Sequence, residues 1–193
     1  SYSVTILQGH AMSKIYSESQ VAQFHDDGFL KTEGFFSAQE TAQLVGWVEE
    51  IAGWTANCQH HHEVTDHGPV LARTEDFAKH HAGLSEMLLE GRVVQAVSEL
   101  MGEPACLFKE KINYKHAGGA GFNPHQDAAA YKRFGSFHVT CLIAIDANTE
   151  QNGCLWFAPG QHVEPLPEDD RGCIPTELAY RWDWVSAPLS PGG

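Results

Sequence analysis

Apolar positions recur at helical spacing in the first half of the chain and mostly at two-residue spacing in the second. Ser17-Glu-Ser-Gln20 has capping-box spacing and opens a helix through Phe24, which Gly28 ends. Ser37-Ala-Gln-Glu40 is a second capping box. It opens a helix to about Ile51, with Thr41, Leu44, Val45, Val48 and Ile51 on one face, and Gly53 closes it. A third helix is predicted over Ser85–Leu100, with Leu88, Leu89, Val93, Val97 and Leu100 inward and Gly102 as its stop. After Pro104 the period changes. Leu107, Lys109, Lys111, Asn113 and Lys115 fall on one face of a predicted strand, and Phe108, Glu110, Ile112 and Tyr114 on the other. Phe137–Asp146 reads as a buried strand. Asn152–His162 reads as a tight turn, a short strand and a second turn.

Helices first and strands afterwards predict an α+β architecture, with helices packed on one side of a sheet or barrel. The expectation is a single domain over residues 1–193: a tail over 1–16, disordered or added in expression, then helices over 17–103 and barrel strands over 104–193. No apolar run approaches the roughly 18 residues of a membrane span, and no secretory signal opens the chain. The net charge of −13, from 12 basic and 25 acidic residues, argues against a nucleic-acid partner. The five cysteines are odd in number and widely spaced, with no CxxC, which implies a reducing, cytoplasmic compartment. Cys141 and Cys154 read as small buried hydrophobes. The expected partner is a small-molecule substrate, with no nucleic acid, no membrane and a homodimer left open.

The chemistry concentrates at Asn123-Pro-His-Gln-Asp127. His125 and Asp127, two residues apart, can present an imidazole and a carboxylate to one ion. That is two thirds of a 2-His-1-carboxylate face, which leaves open positions on Fe(II). Lys109, Lys111, Lys115, Lys132 and Arg133 bracket this triplet and locally reverse the acidic charge, which suits an anionic ligand. His60, His61 and His62, with His67, are not read as a metal site, because three adjacent histidines cannot all face one ion in regular structure. Trp182 and Trp184 flank Asp183 and read as an edge or lid strand, with an aromatic cage for a cationic group as the alternative.

Lys109 to His162, with its HxD, hydrophobic strand, N-G-x-L and P-G-Q-H, resembles the phytanoyl-CoA dioxygenase family of Fe(II)/2-oxoglutarate oxygenases. Asp27-Gly-Phe29 resembles that family's opening turn. The resemblance implies a double-stranded β-helix, a jelly-roll or cupin-like barrel, and Fe(II), 2-oxoglutarate and O₂ as cofactor and co-substrates. It implies His125 and Asp127 as metal ligands and Asn113, with Lys111, at 2-oxoglutarate. Lys109, Gln126, Tyr131 and Arg73 are the candidates to meet substrate, beneath a small wall of Ala128, Ala129 and Ala130. His162 is not promoted to a ligand. The family's second iron-binding His and its 2-oxoglutarate-binding Arg lie downstream of a segment like Pro188–Gly192. They and the closing C-terminal strands are expected to lie outside this stretch of chain. The expected activity is hydroxylation of a small polar, anionic or zwitterionic substrate such as an aminoalkylphosphonate. The alternatives are an ectoine- or acyl-CoA-type hydroxylase, or a non-catalytic metal- or ligand-binding jelly-roll module.

Overall fold

The computed structural model describes residues 13–66, 68–117, 121–127, 131, 133–135 and 137–193. The first two helices form as their caps dictate. In α1 (Glu18–Asp27), Ser17 Oγ accepts from Gln20 N at 3.2 Å and Gln20 Oε1 accepts from Ser17 N at 2.9 Å. Gly28 ends the helix at φ 83°. In α2 (Ala38–Ala52), Ser37 and Glu40 repeat the reciprocal pair, and Leu44 and Ile51 are buried. The Ser37 backbone and side-chain bonds, with Arg92 nearby, hold the Glu40 carboxyl below its usual range.

The expected third helix is broken. A short helix α3 (Ala82–Ser85) runs into a wider π-type turn at Glu86–Glu90, and α4 (Arg92–Met101) restarts after Gly91. Gly91 is extended at φ −90°, ψ −163°, and a Cβ there would lie 3.0 Å from the Met87 carbonyl oxygen. Glycine's low helix propensity wins over the apolar periodicity. As a result Leu89 is exposed, while Val93, Ala96 and Leu100 are buried.

The stretch expected to be all helical, 17–103, also contains an antiparallel hairpin, β1 (Gln59–Thr65) and β2 (Gly68–Glu75), bulged between His61 and His62. Strand β3 (Lys111–Asn113) adds to β2, giving the order β1-β2-β3. It is much shorter than Leu107–Lys115, yet the alternation persists from Glu110 to Lys115, with the even-numbered residues less exposed. A second antiparallel pair joins β4 (Leu155–Phe157) to β5 (Val185–Ala187), with α5 (Thr176–Ala179) between them in the chain. Trp182 and Trp184 precede β5 rather than forming a strand of their own.

Phe137–Asp146 is not a strand, and Cys141 is exposed. Its backbone finds few ladder partners. Ala144 bonds the C-terminal segment, donating to Gly193 O at 2.9 Å and accepting from Gly192 N at 2.8 Å. Apolarity alone does not make a strand when the neighbouring ladder is missing. Gly192 itself lies against α2: a Cβ there would lie 2.3 Å from Thr41 Oγ1.

The core sits between the helices and one face of the three-stranded sheet. Phe36, Leu44, Ile51, Phe77, Leu84 and Val93 are buried together, with Ile112 of β3 packed against them. A second cluster joins Tyr16 to Ala96 and Leu100 of α4. No helix among the described residues is long and apolar enough to cross a membrane.

Glu99 of α4 ties the chain entering α1. Its Oε2 accepts from Ile15 N at 2.9 Å and Tyr16 N at 3.0 Å. Burial pushes the Glu99 carboxyl up, but these N–H groups and the Gln95 amide overcome it and hold it below the usual range. A depressed carboxyl stabilises above its unfolded pKa, and that stability fades as pH falls through the folded value. Glu99→Gln is therefore expected to lose about 1–2 kcal/mol at neutral pH, with the deficit closing in acid. Urea melts at neutral pH and at about pH 3, below the reference carboxyl pKa, check this.

Candidate metal centre

His125 and Asp127 follow Pro124, whose carbonyl accepts from Ile174 N at 2.8 Å and so pins this segment to the turn at 169–173. In that turn Asp169 Oδ1 accepts from Arg171 N and Cys173 N, both at 2.9 Å. The two candidate ligands face each other: His125 Nε2 lies 3.3 Å from Asp127 Oδ1. Each is held from behind. The Asn123 carbonyl lies 2.7 Å from His125 Nδ1. A carbonyl only accepts, so Nδ1 carries the proton and the Nε2 lone pair points at Asp127 when the ring is neutral. Thr140 Oγ1 donates to Asp127 Oδ2 at 2.6 Å, leaving Oδ1 for the imidazole side.

At 3.3 Å, a shared proton or a shared metal ion would bridge the two atoms. One neutral nitrogen and one carboxylate oxygen, each with its outer atom engaged, form a donor set that fits Fe(II). Both side chains are close to half exposed, and both border a cavity of about 360 Å³ with Phe122, Glu168 and Arg171 on its rim. Among the described residues no group of three His, Cys, Asp or Glu side chains converges on one point. Thr140→Val should leave the fold intact and weaken Fe(II) binding about 10–100-fold, the usual effect of losing a partner behind a ligand. Metal titration of the variant checks this.

The other candidate residues fall into two places. Gln126 lies beside the pair, but its amide is engaged by backbone: it donates to Gln161 O at 2.7 Å and Glu164 O at 3.1 Å, and accepts from Leu166 N at 3.0 Å. Tyr131 packs edge-on to Phe108 at 5.4 Å and near His138 at 5.5 Å. Arg73, Lys109, Lys111 and Asn113 gather on the sheet. Arg73 pairs with Asn113 across β2 and β3, and Lys111 with Glu75. Arg73 Nε and Lys109 Nζ both reach Glu75 Oε1, at 3.2 and 3.1 Å. Among the described residues no hydrogen bond or ion pair joins this group to His125 or Asp127. Lys115 donates to Gly153 O. Ala128, Ala129, Ala130, Lys132 and His67 lie outside the described residues.

Strand alternation separates the histidine run. His60 turns to the core side, bonding Thr74 Oγ1 and Trp54 O, both at 2.8 Å. His61 turns to Glu75, at 3.6 Å.

The two turns that the sequence set apart meet in space. Gly160 N donates to Asp27 O at 2.9 Å, and His162 Nε2 donates to His25 O at 3.1 Å. Phe29 stacks on Phe157 of β4 at 4.5 Å. This clasp borders a second cavity, of about 140 Å³, lined by Phe29, Trp156, Trp182 and Trp184 with His125 at its wall. Thr140 and Glu75 carried no sequence signal of their own, and His61 stood out only as one of a histidine run. The Thr140–Asp127 and His61–Glu75 contacts each join residues distant in sequence.

The sequence profile described as phytanoyl-CoA dioxygenase (PhyH) matches residues 24–193. The chain is 44% identical over 185 residues to a methylphosphonate hydroxylase of Gimesia maris, covering 94% of this chain and 71% of that protein. It is 36% identical to a 2-aminoethylphosphonate dioxygenase from an uncultured bacterium, over 92% of this chain and 70% of the relative. Among solved structures, EctD from S. alaskensis with bound Fe superposes with a TM-score of 0.69 at 19% identity, covering 92% of this chain and 66% of that one. The epimerase SnoN, in complex with Fe³⁺, alpha ketoglutarate and nogalamycin RO, gives the same TM-score and identity over 91% and 71%. These two likenesses establish a shared fold.

Proposed function

This chain belongs to the phytanoyl-CoA dioxygenase (PhyH) family, and from that membership we propose that it is an Fe(II)- and 2-oxoglutarate-dependent oxygenase hydroxylating a small phosphonate, such as an aminoalkylphosphonate. The observation that carries the metal half of this reading is the His125–Asp127 pair, 3.3 Å apart, with the outer atom of each ligand tied back. His125 Nε2 and Asp127 Oδ1 would hold the metal. Held there with 2-oxoglutarate, Fe(II) would activate O₂, the oxidant, for hydroxylation of a C–H bond. Asn123 fixes the imidazole tautomer, and Thr140 fixes the carboxylate rotamer. Neither ligand then has to reorganise when the metal arrives.

The substrate half rests on the sheet. Arg73 and Lys109 put two cations against the carboxylate of Glu75, and Lys111 stands opposite Glu75 in the strand register, in a chain whose net charge is −13. A phosphonate needs charge-assisted donors, and a guanidinium beside ammonium groups provides them. Lys109 and Arg73 are assigned to the phosphonate, and Lys111 and Asn113 to the 2-oxoglutarate carboxylate. Gln126 serves as a clamp for segment 161–166. In this reading the two small sheets are parts of a double-stranded β-helix and the protein works in the cytoplasm, a reading that the five free cysteines support.

A substrate panel with the full-length protein, Fe(II) and 2-oxoglutarate, followed by phosphorus NMR, tests this assignment. A hydroxylated product from methylphosphonate or 2-aminoethylphosphonate is expected. Turnover of ectoine or a long-chain acyl-CoA, with phosphonates left intact, would overturn it.

A further inference from the structure

Glu75 stands where three basic side chains meet. Its side chain is only 13% exposed. Oε1 lies 3.2 Å from Arg73 Nε and 3.1 Å from Lys109 Nζ, and Oε2 lies 3.6 Å from His61 Nε2. The buried atoms Glu75 Oε1, Arg73 Nε and His61 Nε2 find no aligned hydrogen bond among the described residues. The contacts are charge against charge. Burial pushes the Glu75 carboxyl up, and Lys109, Arg73 and His61 overcome it and hold it below its usual range. It is a carboxylate at neutral pH.

Stability alone does not account for this group. A largely buried charge carries a desolvation cost that ion pairs repay only with good geometry, and here the hydrogen-bond alignment is missing. The arrangement does fix two cations side by side that would otherwise repel. Arg73 Nε is engaged by Glu75, yet the Arg73 side chain remains 39% exposed, and its Nη groups make no hydrogen bond among the described residues. Lys109 remains 46% exposed, with N–H donors beyond the one facing Glu75. Asn113 stands opposite Arg73, and Lys111 opposite Glu75. A planar fork and an ammonium, held at one spacing, match the several oxygens of a tetrahedral oxyanion.

We infer that Glu75 is the positioning residue of an oxyanion seat, holding Arg73 and Lys109 at the spacing that receives the substrate's phosphonate, with His61 bracing its second oxygen. This rests on the reading of the substrate as a phosphonate. Glu75 touches no substrate atom and acts through the two cations.

The test follows binding of methylphosphonate to the full-length protein without metal, by calorimetry and phosphorus NMR near neutral pH. Charge counting and positioning make opposite forecasts. Glu75→Gln makes the face more positive, so charge alone tightens binding. Positioning predicts about tenfold weaker binding, because the cations splay and lose their shared geometry. Glu75→Asp keeps the charge and is expected to fall between the two. Arg73→Ala and Lys109→Ala weaken binding as well. Should Glu75→Gln fail to fold, Glu75→Asp carries the test, since unchanged affinity there overturns the positioning role. Wild-type or tighter binding by Glu75→Gln, with Arg73→Ala impaired, overturns that role and leaves the phosphonate reading standing. Binding insensitive to all these variants puts the seat elsewhere and overturns the inference. No binding of either methylphosphonate or 2-aminoethylphosphonate by the wild type removes the substrate reading itself.

Discussion

His125→Ala is expected to bring oxygenase turnover to background and to lower Fe(II) affinity by more than about a hundredfold. The lower bound comes from comparison: losing a group behind a ligand costs about 10–100-fold, and His125 is itself a ligand candidate, with its Nε2 lone pair aimed at Asp127 Oδ1. Its removal leaves Asp127 alone with Thr140. The fold should survive, because the His125 side chain is 42% exposed and makes one local hydrogen bond, to Asn123 O. His162→Ala is the matched control. His162 stands in the clasp with His25 and not beside Asp127, so the variant should keep its metal affinity. Metal titration, with circular dichroism to verify folding, separates the two. Wild-type turnover in His125→Ala would remove this residue from the metal centre.

Gly28→Ala carries the largest expected effect on stability, about 2–4 kcal/mol, from two independent causes. The backbone at Gly28 has φ 83°, a region that costs other residues about 1–2 kcal/mol. A Cβ there would also lie 2.3 Å from His162 Nδ1 and 2.4 Å from its Cγ, so the ring must leave its place. The second cause can be isolated. In a His162→Ala background the ring contacts disappear and only the contact with the residue 162 Cβ, at 3.0 Å, stays, so Gly28→Ala should cost little more than the backbone strain. Chemical denaturation of the four proteins in this cycle gives both parts. Equal stability of Gly28→Ala and wild type would mean that the clasp does not hold the end of α1.

These two sites also mark where the sequence could and could not be read. The caps at Ser17 and Ser37 were legible because both halves of each motif lie within four residues, and the structure forms them as spaced. The Asp27-Gly-Phe29 and Pro159-Gly-Gln-His162 turns were each visible, but nothing local says that they interlock across the fold. The His125–Asp127 pair was legible by its spacing. Its support from Thr140 was not, because that side chain belongs to a segment expected to be a buried strand. Phe137–Asp146 misled because apolarity predicts burial, whereas strand formation requires a paired neighbour. The hairpin at 59–75 was missed for the opposite reason. Its first strand is a run of histidines with no apolar alternation, and the bulge at His61/His62 shifts the register midway. The same hairpin places His61 and Glu75 together, so the group around Glu75 was hidden with it.

The central claim is most directly tested by succinate formation. Full-length protein with Fe(II), 2-oxoglutarate and O₂ should release succinate when methylphosphonate or 2-aminoethylphosphonate is added, in step with hydroxylated phosphonate, and should stop when Fe(II) is chelated. Succinate release that no phosphonate stimulates, or product formation that persists without Fe(II), would contradict the account.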